Sequence, residues 1–121
     1  MSIVIKLKRA YDKPLKTDGY RILIARLWPY NLSQEKAAID EWAKEIAPTE
    51  RLKNWYDYNP YHWDEFQNKY RQELKQNKAI DDFIAKIKNK KMITLVYATK
   101  YDKLTPVLVT KQFLETVCCA V

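Results

Sequence analysis

Met92-Ile93-Thr94-Leu95-Val96-Tyr97-Ala98 is the stretch on which the fold turns. It carries no charge, and apolar side chains fall on both of its faces instead of alternating, which marks a strand covered from both sides. Upstream, Lys78 to Lys88 reads as a helix on Ile80, Phe83, Ile84 and Ile87, closed by Lys88-Asn89-Lys90-Lys91. Before it the stripe Trp63, Phe66, Tyr70, Leu74 steps at helical intervals behind Asn59-Pro60, a capping residue followed by proline in the first turn. A shorter helix starts at Thr49 and carries Leu52, Trp55 and Tyr56. Downstream, Thr105-Pro106 repeats the cap-then-proline signal ahead of Val107, Leu108, Phe113, Leu114 and Val117.

The N-terminal part supplies two more strands. Ile3 to Lys8 is β-rich, Asp12 to Gly19 reads as a loop, and Arg21 to Leu27 is a buried strand that Pro29 stops. Asn31 then sits in capping-box spacing with Gln34, which predicts a helix whose inner stripe is Ala38, Ile39, Trp42 and Ile46. Strand, strand, three or four helices, strand, helix is an α/β order. The expected architecture is one domain over residues 1–121, with a small, mostly parallel sheet of about three strands covered by helices.

Composition removes several function classes. The 121 residues hold a single glycine, so neither a P-loop nor a G-x-G-x-x-G turn is available. One histidine, His62, and the adjacent Cys118 and Cys119 cannot build a tetrahedral zinc cage, and no C-x-x-C occurs. No metal site and no cofactor are therefore expected. No apolar run is long enough to span a membrane and the N-terminus lacks a signal-type segment, so a cytoplasmic protein is expected. The vicinal cysteines read as packing residues or as a redox handle.

Charge is uneven. Residues 1–31 carry seven basic and two acidic side chains, residues 32–74 six and nine, and residues 75–121 nine and four. The strand-bearing ends are thus +5 each and the helical middle −3. That balance fits a solvated lysine-rich surface or an anion site at which the two basic ends meet.

In an open parallel sheet, ligands lie beyond the carboxyl ends of the strands. Those ends carry Arg9 and Tyr11, Arg26 and Trp28, and Tyr97 and Lys100, and the helix led by Thr105 begins just beyond the third. Cations beside a helix start suit phosphate or carboxylate, so these seven residues form the candidate anion site. Arg26 has a second reading, as a structural residue tying a strand end to a helix C-terminus. No catalytic group stands out: His62 lies near a helix start beside Trp63, and the acidic pairs Asp40-Glu41, Asp64-Glu65 and Asp81-Asp82 read as solvated helix faces. Tyr30, Tyr56, Tyr58 and Tyr61 with Trp55 and Trp63 could stack nucleic-acid bases, but helical stepping points rather to a core.

Arg21-Ile-Leu-Ile-Ala-Arg-Leu-Trp-Pro29 resembles the bacterial YeaO-like proteins, a domain of unknown function. The likeness opens with Lys8-Arg9 and Tyr11 and runs through Trp42, Ala47-Pro48, Leu52-Lys-Asn-Trp55, Pro60, Trp63-Asp-Glu-Phe66, Tyr70-Arg71 and Glu73-Leu74. It ends on Thr94-Leu-Val-Tyr-Ala98, Lys100 and Phe113-Leu114. It implies a small α/β domain and no activity. The family usually has Asp-Arg-Leu-Trp-Pro-Arg-Gly where this chain has Ala25-Arg26-Leu27-Trp28-Pro29-Tyr30-Asn31, and an acidic run leading to His and Asn where this chain has Tyr101 to Pro106. An acid, an arginine and a His/Asn cluster are therefore replaced at the expected site. The expected role is binding of an anionic small molecule at the strand ends. The alternatives are a nucleic-acid-associated basic protein and a degenerate, non-catalytic member with an interaction role.

Overall fold

The computed structural model describes residues 3–57, 59–98 and 105–118, with the side chain of Cys118 excepted. Tyr58, Lys100, Tyr101 to Leu104 of the replaced run, and Cys119 lie outside the described residues. Four strands, β1 (Val4–Arg9), β2 (Tyr20–Leu23), β3 (Glu41–Trp42) and β4 (Met92–Tyr97), form one sheet in the order β1-β4-β2-β3. Every pairing is parallel. Five α-helices cover it: α1 (Gln34–Ala37), α2 (Glu50–Tyr56), α3 (Trp63–Gln76), α4 (Lys78–Ile87) and α5 (Pro106–Cys118). No helix among the described residues is long and apolar enough to cross a membrane.

β4 is central, as its double-faced apolar pattern predicts. Val4 faces Met92 on one side and Tyr20 faces Ile93 on the other. Ile93, Leu95 and Tyr97 join the main core with Ile5 and Ile22 and with residues of α2 to α5, while Val96 packs with Ala10 and Leu23 on the opposite face. The aromatic stripe goes into the main core. Tyr56 stacks on Phe66 at 4.4 Å between ring centroids, and Phe66 meets Tyr70 at 5.8 Å. All three rings are fully buried.

Three starts obey their local chemistry. Thr49 accepts the Leu52 N–H, Asn59 that of Tyr61 and Asn77 that of Ala79. Proline at Pro60 opens a single 3-10 turn, and α3 follows from Trp63. The chain's only glycine is required by geometry. Gly19 has φ of 69°, and a Cβ there would lie 2.5 Å from the Met92 carbonyl oxygen.

The segment after Pro29 departs from the expected helix. Asn31 is not a cap but a left-handed residue (φ 62°), and Ser33 accepts the Lys36 N–H to start α1. Asparagine tolerates that conformation better than most residues. α1 lasts only four residues because Ala38 turns left-handed (φ 50°). Beyond it Asp40 takes the Arg21 N–H on its Oδ2 at 2.8 Å and donates its own N–H to the Arg21 carbonyl. That docks the chain on β2, so Glu41–Trp42 become a fourth, edge strand, and Lys44–Ile46 form a 3-10 turn. Ala38, Ile39, Trp42 and Ile46 do not share one helical face. β2 is also shorter than expected and ends at Leu23, although Ile24 still donates to the Val96 carbonyl.

Candidate functional site

A cavity of about 450 Å³ opens at the carboxyl edge of the sheet. Five of the seven sequence candidates line it: Tyr11, Arg26, Trp28, Tyr97 and Thr105. Arg9 stands beside Tyr97 in the register of β1 and β4 but does not line the cavity. The parallel sheet makes this arrangement possible, since β1, β2 and β4 all deliver their carboxyl ends to one edge.

Each wall has an identifiable support. The Trp28 indole donates to the Leu32 carbonyl at 2.8 Å and meets Trp42 edge-on, with ring centroids 5.5 Å apart. Trp42 in turn donates to the Ala25 carbonyl at 2.6 Å, so the two rings pin the strand exit from both sides. Tyr11 reaches across the mouth to donate to the Tyr30 carbonyl at 3.0 Å. Ile24, Pro48, Pro106 and Val107 make most of the remaining wall apolar. Leu27 and Tyr30 stand largely exposed at the rim.

Arg26 shows its structural role directly. Its Nε and Nη2 donate to the carbonyls of Ala47 (3.2 and 2.9 Å), Pro48 and Glu45, closing the C-terminal end of the 3-10 turn at Lys44–Ile46. Nη1 makes no hydrogen bond, and no carboxylate lies within ion-pair distance of the guanidinium among the described residues. Arg26 also lines a second depression of about 200 Å³, which it shares with Glu73. Both Glu73 oxygens are taken by Thr49, one by its N–H at 3.1 Å and one by its hydroxyl at 2.6 Å. In that depression the Tyr70 hydroxyl donates to the Ile46 carbonyl and bonds Thr110, and burial raises its pKa well above a free tyrosine's.

Lys53 brings a second cation to the lining, and Thr105 a hydroxyl. Thr105 is buried (1% exposed), and its Oγ1 has no hydrogen-bond partner among the described residues. Its carbonyl accepts the Leu108 N–H, so the turn is formed while the hydroxyl stays uncommitted. No metal-holding group of three or more His, Cys, Asp or Glu occurs among the described residues. His62 is half-buried and stacks on Trp55 at 4.6 Å, away from this cavity.

Sequence reasoning missed a second charged cluster, at the opposite edge of the sheet. Arg21 and Asp18 are both nearly inaccessible and pair at 2.6 Å. Arg21 also donates to the Ala37 carbonyl, from Nε at 3.1 Å and Nη2 at 2.8 Å, and to that of Ala38. Asp18 accepts further from Lys8 and from the Leu15 N–H. Burial alone would raise the Asp18 pKa, but these donors and the Lys8 charge carry it below the usual carboxylate value. The signal was an arginine inside the apolar run Arg21-Ile-Leu-Ile, because a buried guanidinium must find a partner.

The family described as the inactive DUF488-N3 subclade matches residues 4–120. The uncharacterized protein YeaO of Escherichia coli is 35% identical over 112 residues, covering 93% of this chain and 97% of YeaO. Uncharacterized proteins of Mycobacterium tuberculosis and Mycobacterium bovis are 29% identical over 111 residues, covering 92% of this chain and 93% of theirs. No solved structure matches.

Proposed function

This chain belongs to the inactive DUF488-N3 subclade and is a YeaO-like protein, and we propose on that premise that its strand-end cavity holds a small anionic molecule without transforming it. The observation that carries this reading is Arg26, a cation fixed on the cavity wall by three carbonyls, with no carboxylate to neutralise it among the described residues. A fixed, partly desolvated positive charge attracts an anion more strongly than a mobile surface lysine does. Among the described residues the lining offers no acid, no histidine and no nucleophilic thiol, which agrees with the subclade's description as inactive. Of the rings that could stack nucleic-acid bases, Tyr56 is buried in the core while Tyr30 and Tyr61 stand exposed, and only Tyr30 of these lines the cavity.

The test is thermal denaturation with phosphate, sulfate and small carboxylates at constant ionic strength, on the wild type and Arg26→Gln. An anion at about tenfold above its Kd stabilises by roughly 1.4 kcal/mol, or several degrees in a domain of this size. The wild type should gain that shift and Arg26→Gln should not. An independent readout is NMR of the four indole N–H groups, of which Trp28 should respond most. No shift with any anion, or an equal one in the variant, overturns the reading.

A further inference from the structure

Resting on that reading, we propose that the ligand is a monocarboxylate with a flat apolar body, whose carboxylate binds the Thr105 hydroxyl and the first turn of α5. Four other helix or turn starts, at Ser33, Thr49, Asn59 and Asn77, use their side chains as caps. Thr105 is more buried than any of these and caps nothing. A buried hydroxyl without a partner is costly; Oγ1 is closed to solvent as it stands, and an incoming acceptor relieves it once rotation about χ1 turns it to the cavity that Thr105 lines.

The number of donors selects the class of anion. Pro106 has no N–H, and the Leu108 N–H is taken by Thr105. Val107 is then the residue of the first turn that still offers a backbone donor, since helix geometry gives it no acceptor inside α5. One hydroxyl and one N–H match the two oxygens of a carboxylate, with the Arg26 charge supplying the field. A phosphate needs several convergent amides, which glycine-rich loops provide. The only glycine here is Gly19, at the opposite edge of the sheet. Ile24, Trp28 and Tyr97 offer an apolar and aromatic surface for the rest of the ligand, and about 450 Å³ admits a single-ring compound.

The experiment titrates 3-phenylpropanoate, its uncharged amide and inorganic phosphate into the wild type, Thr105→Val, Thr105→Ser and Arg26→Gln, followed by NMR. The carboxylate should move the Val107 amide and the Trp28 indole, and bind at least about tenfold more tightly than the amide or phosphate, as a hydrogen bond to a charged oxygen predicts. Thr105→Val should lose about tenfold, and Thr105→Ser should retain most of the affinity. Without ligand, Thr105→Val should melt no lower than the wild type, because it removes an unpaired buried hydroxyl. A lower melting temperature would show that the hydroxyl already has a partner in the protein and would overturn the proposal. Equal affinity in Thr105→Val would do the same. If phosphate binds through Arg26 and phenylpropanoate binds no better than its amide, the carboxylate assignment fails and the anion site survives. If no anion effect depends on Arg26, both fail.

Discussion

Arg21 lies in β2 and Arg26 just beyond its end, and both clamp the carbonyl ends of short helical turns. Arg21 takes Ala37 and Ala38 at the end of α1, and Arg26 takes Glu45, Ala47 and Pro48 at the next turn. They differ in how their charge is met. Arg21 is sealed against Asp18, with Lys8 completing the cluster. Arg26 is half-buried, has no such partner among the described residues, and faces the cavity. The same residue type doing the same backbone work thus has its charge met by an acid at Arg21 and, among the described residues, by carbonyl oxygens alone at Arg26. The resemblance adds that the family usually has an acid at the position of Ala25, immediately before Arg26.

The largest effect should come from breaking the sealed clamp. Arg21→Met leaves the buried Asp18 with only Lys8 as its cation and orphans the Ala37 carbonyl, so urea denaturation should show a loss of about 3–5 kcal/mol. Adding Asp18→Asn should recover part of that loss. No carboxylate substitution should rescue an Arg26 variant in the same way. Next comes Gly19→Ala, which forces a Cβ against the Met92 carbonyl and strains the residue beside Asp18. It should cost roughly 2 kcal/mol or more in the same assay.

Arg26→Gln should cost less, about 1–2 kcal/mol, because its carbonyl partners lie near water and can be solvated when released. Acid titration sharpens the contrast further. The Asp18 pKa is lowered in the folded protein from its ordinary 3.8. Its contribution is therefore complete above that value and is lost as pH falls through the lower folded pKa. Melting temperatures below about pH 4 should fall less steeply in Asp18→Asn, and Arg26→Gln should leave that slope unchanged.

The smallest effect lies at the alkaline limit. Burial, followed by its hydrogen bond to Glu41, raises the Tyr20 pKa from 10.0 to about 12. The neutral phenol thus stabilises the fold fully below pH 10, and this is lost as pH rises towards 12. Tyr20→Phe should remove that part of the alkaline decline in melting temperature.

What the sequence showed of this molecule was its local part. β4 was legible because a run of apolar residues without alternation admits few other readings, and Thr49 and Asn59-Pro60 start their helical segments through contacts within a few residues. The stretch from Asn31 to Ile46 misled because its outcome is set from a distance. Its residues step at helical intervals, yet the Arg21 side chain and main chain, on a different element, bind Ala37, Ala38 and Asp40 and turn the segment into an edge strand. The placement of the cavity followed from strand direction alone. Among the described residues, the uncommitted hydroxyl of Thr105 and the lack of a carboxylate on Arg26 depend on which partners arrive in space, and one-dimensional spacing carries no trace of them.

The strand order also has a consequence for how the chain acquires its structure. β1 and β2 are never neighbours, because β4 lies between them and comes late in the sequence. Until Met92–Tyr97 is in place, β1 has no strand to pair with, and β2 has only the two-residue edge β3. The helices in between can form on their own contacts, but the sheet must wait for distant segments to close on each other, which makes its assembly slow relative to theirs. Folding rates should therefore respond to substitutions along Ile93, Leu95 and Val96 more than to those on α3 or α4. The cavity, built wholly at the sheet's carboxyl edge, would be among the last features to appear.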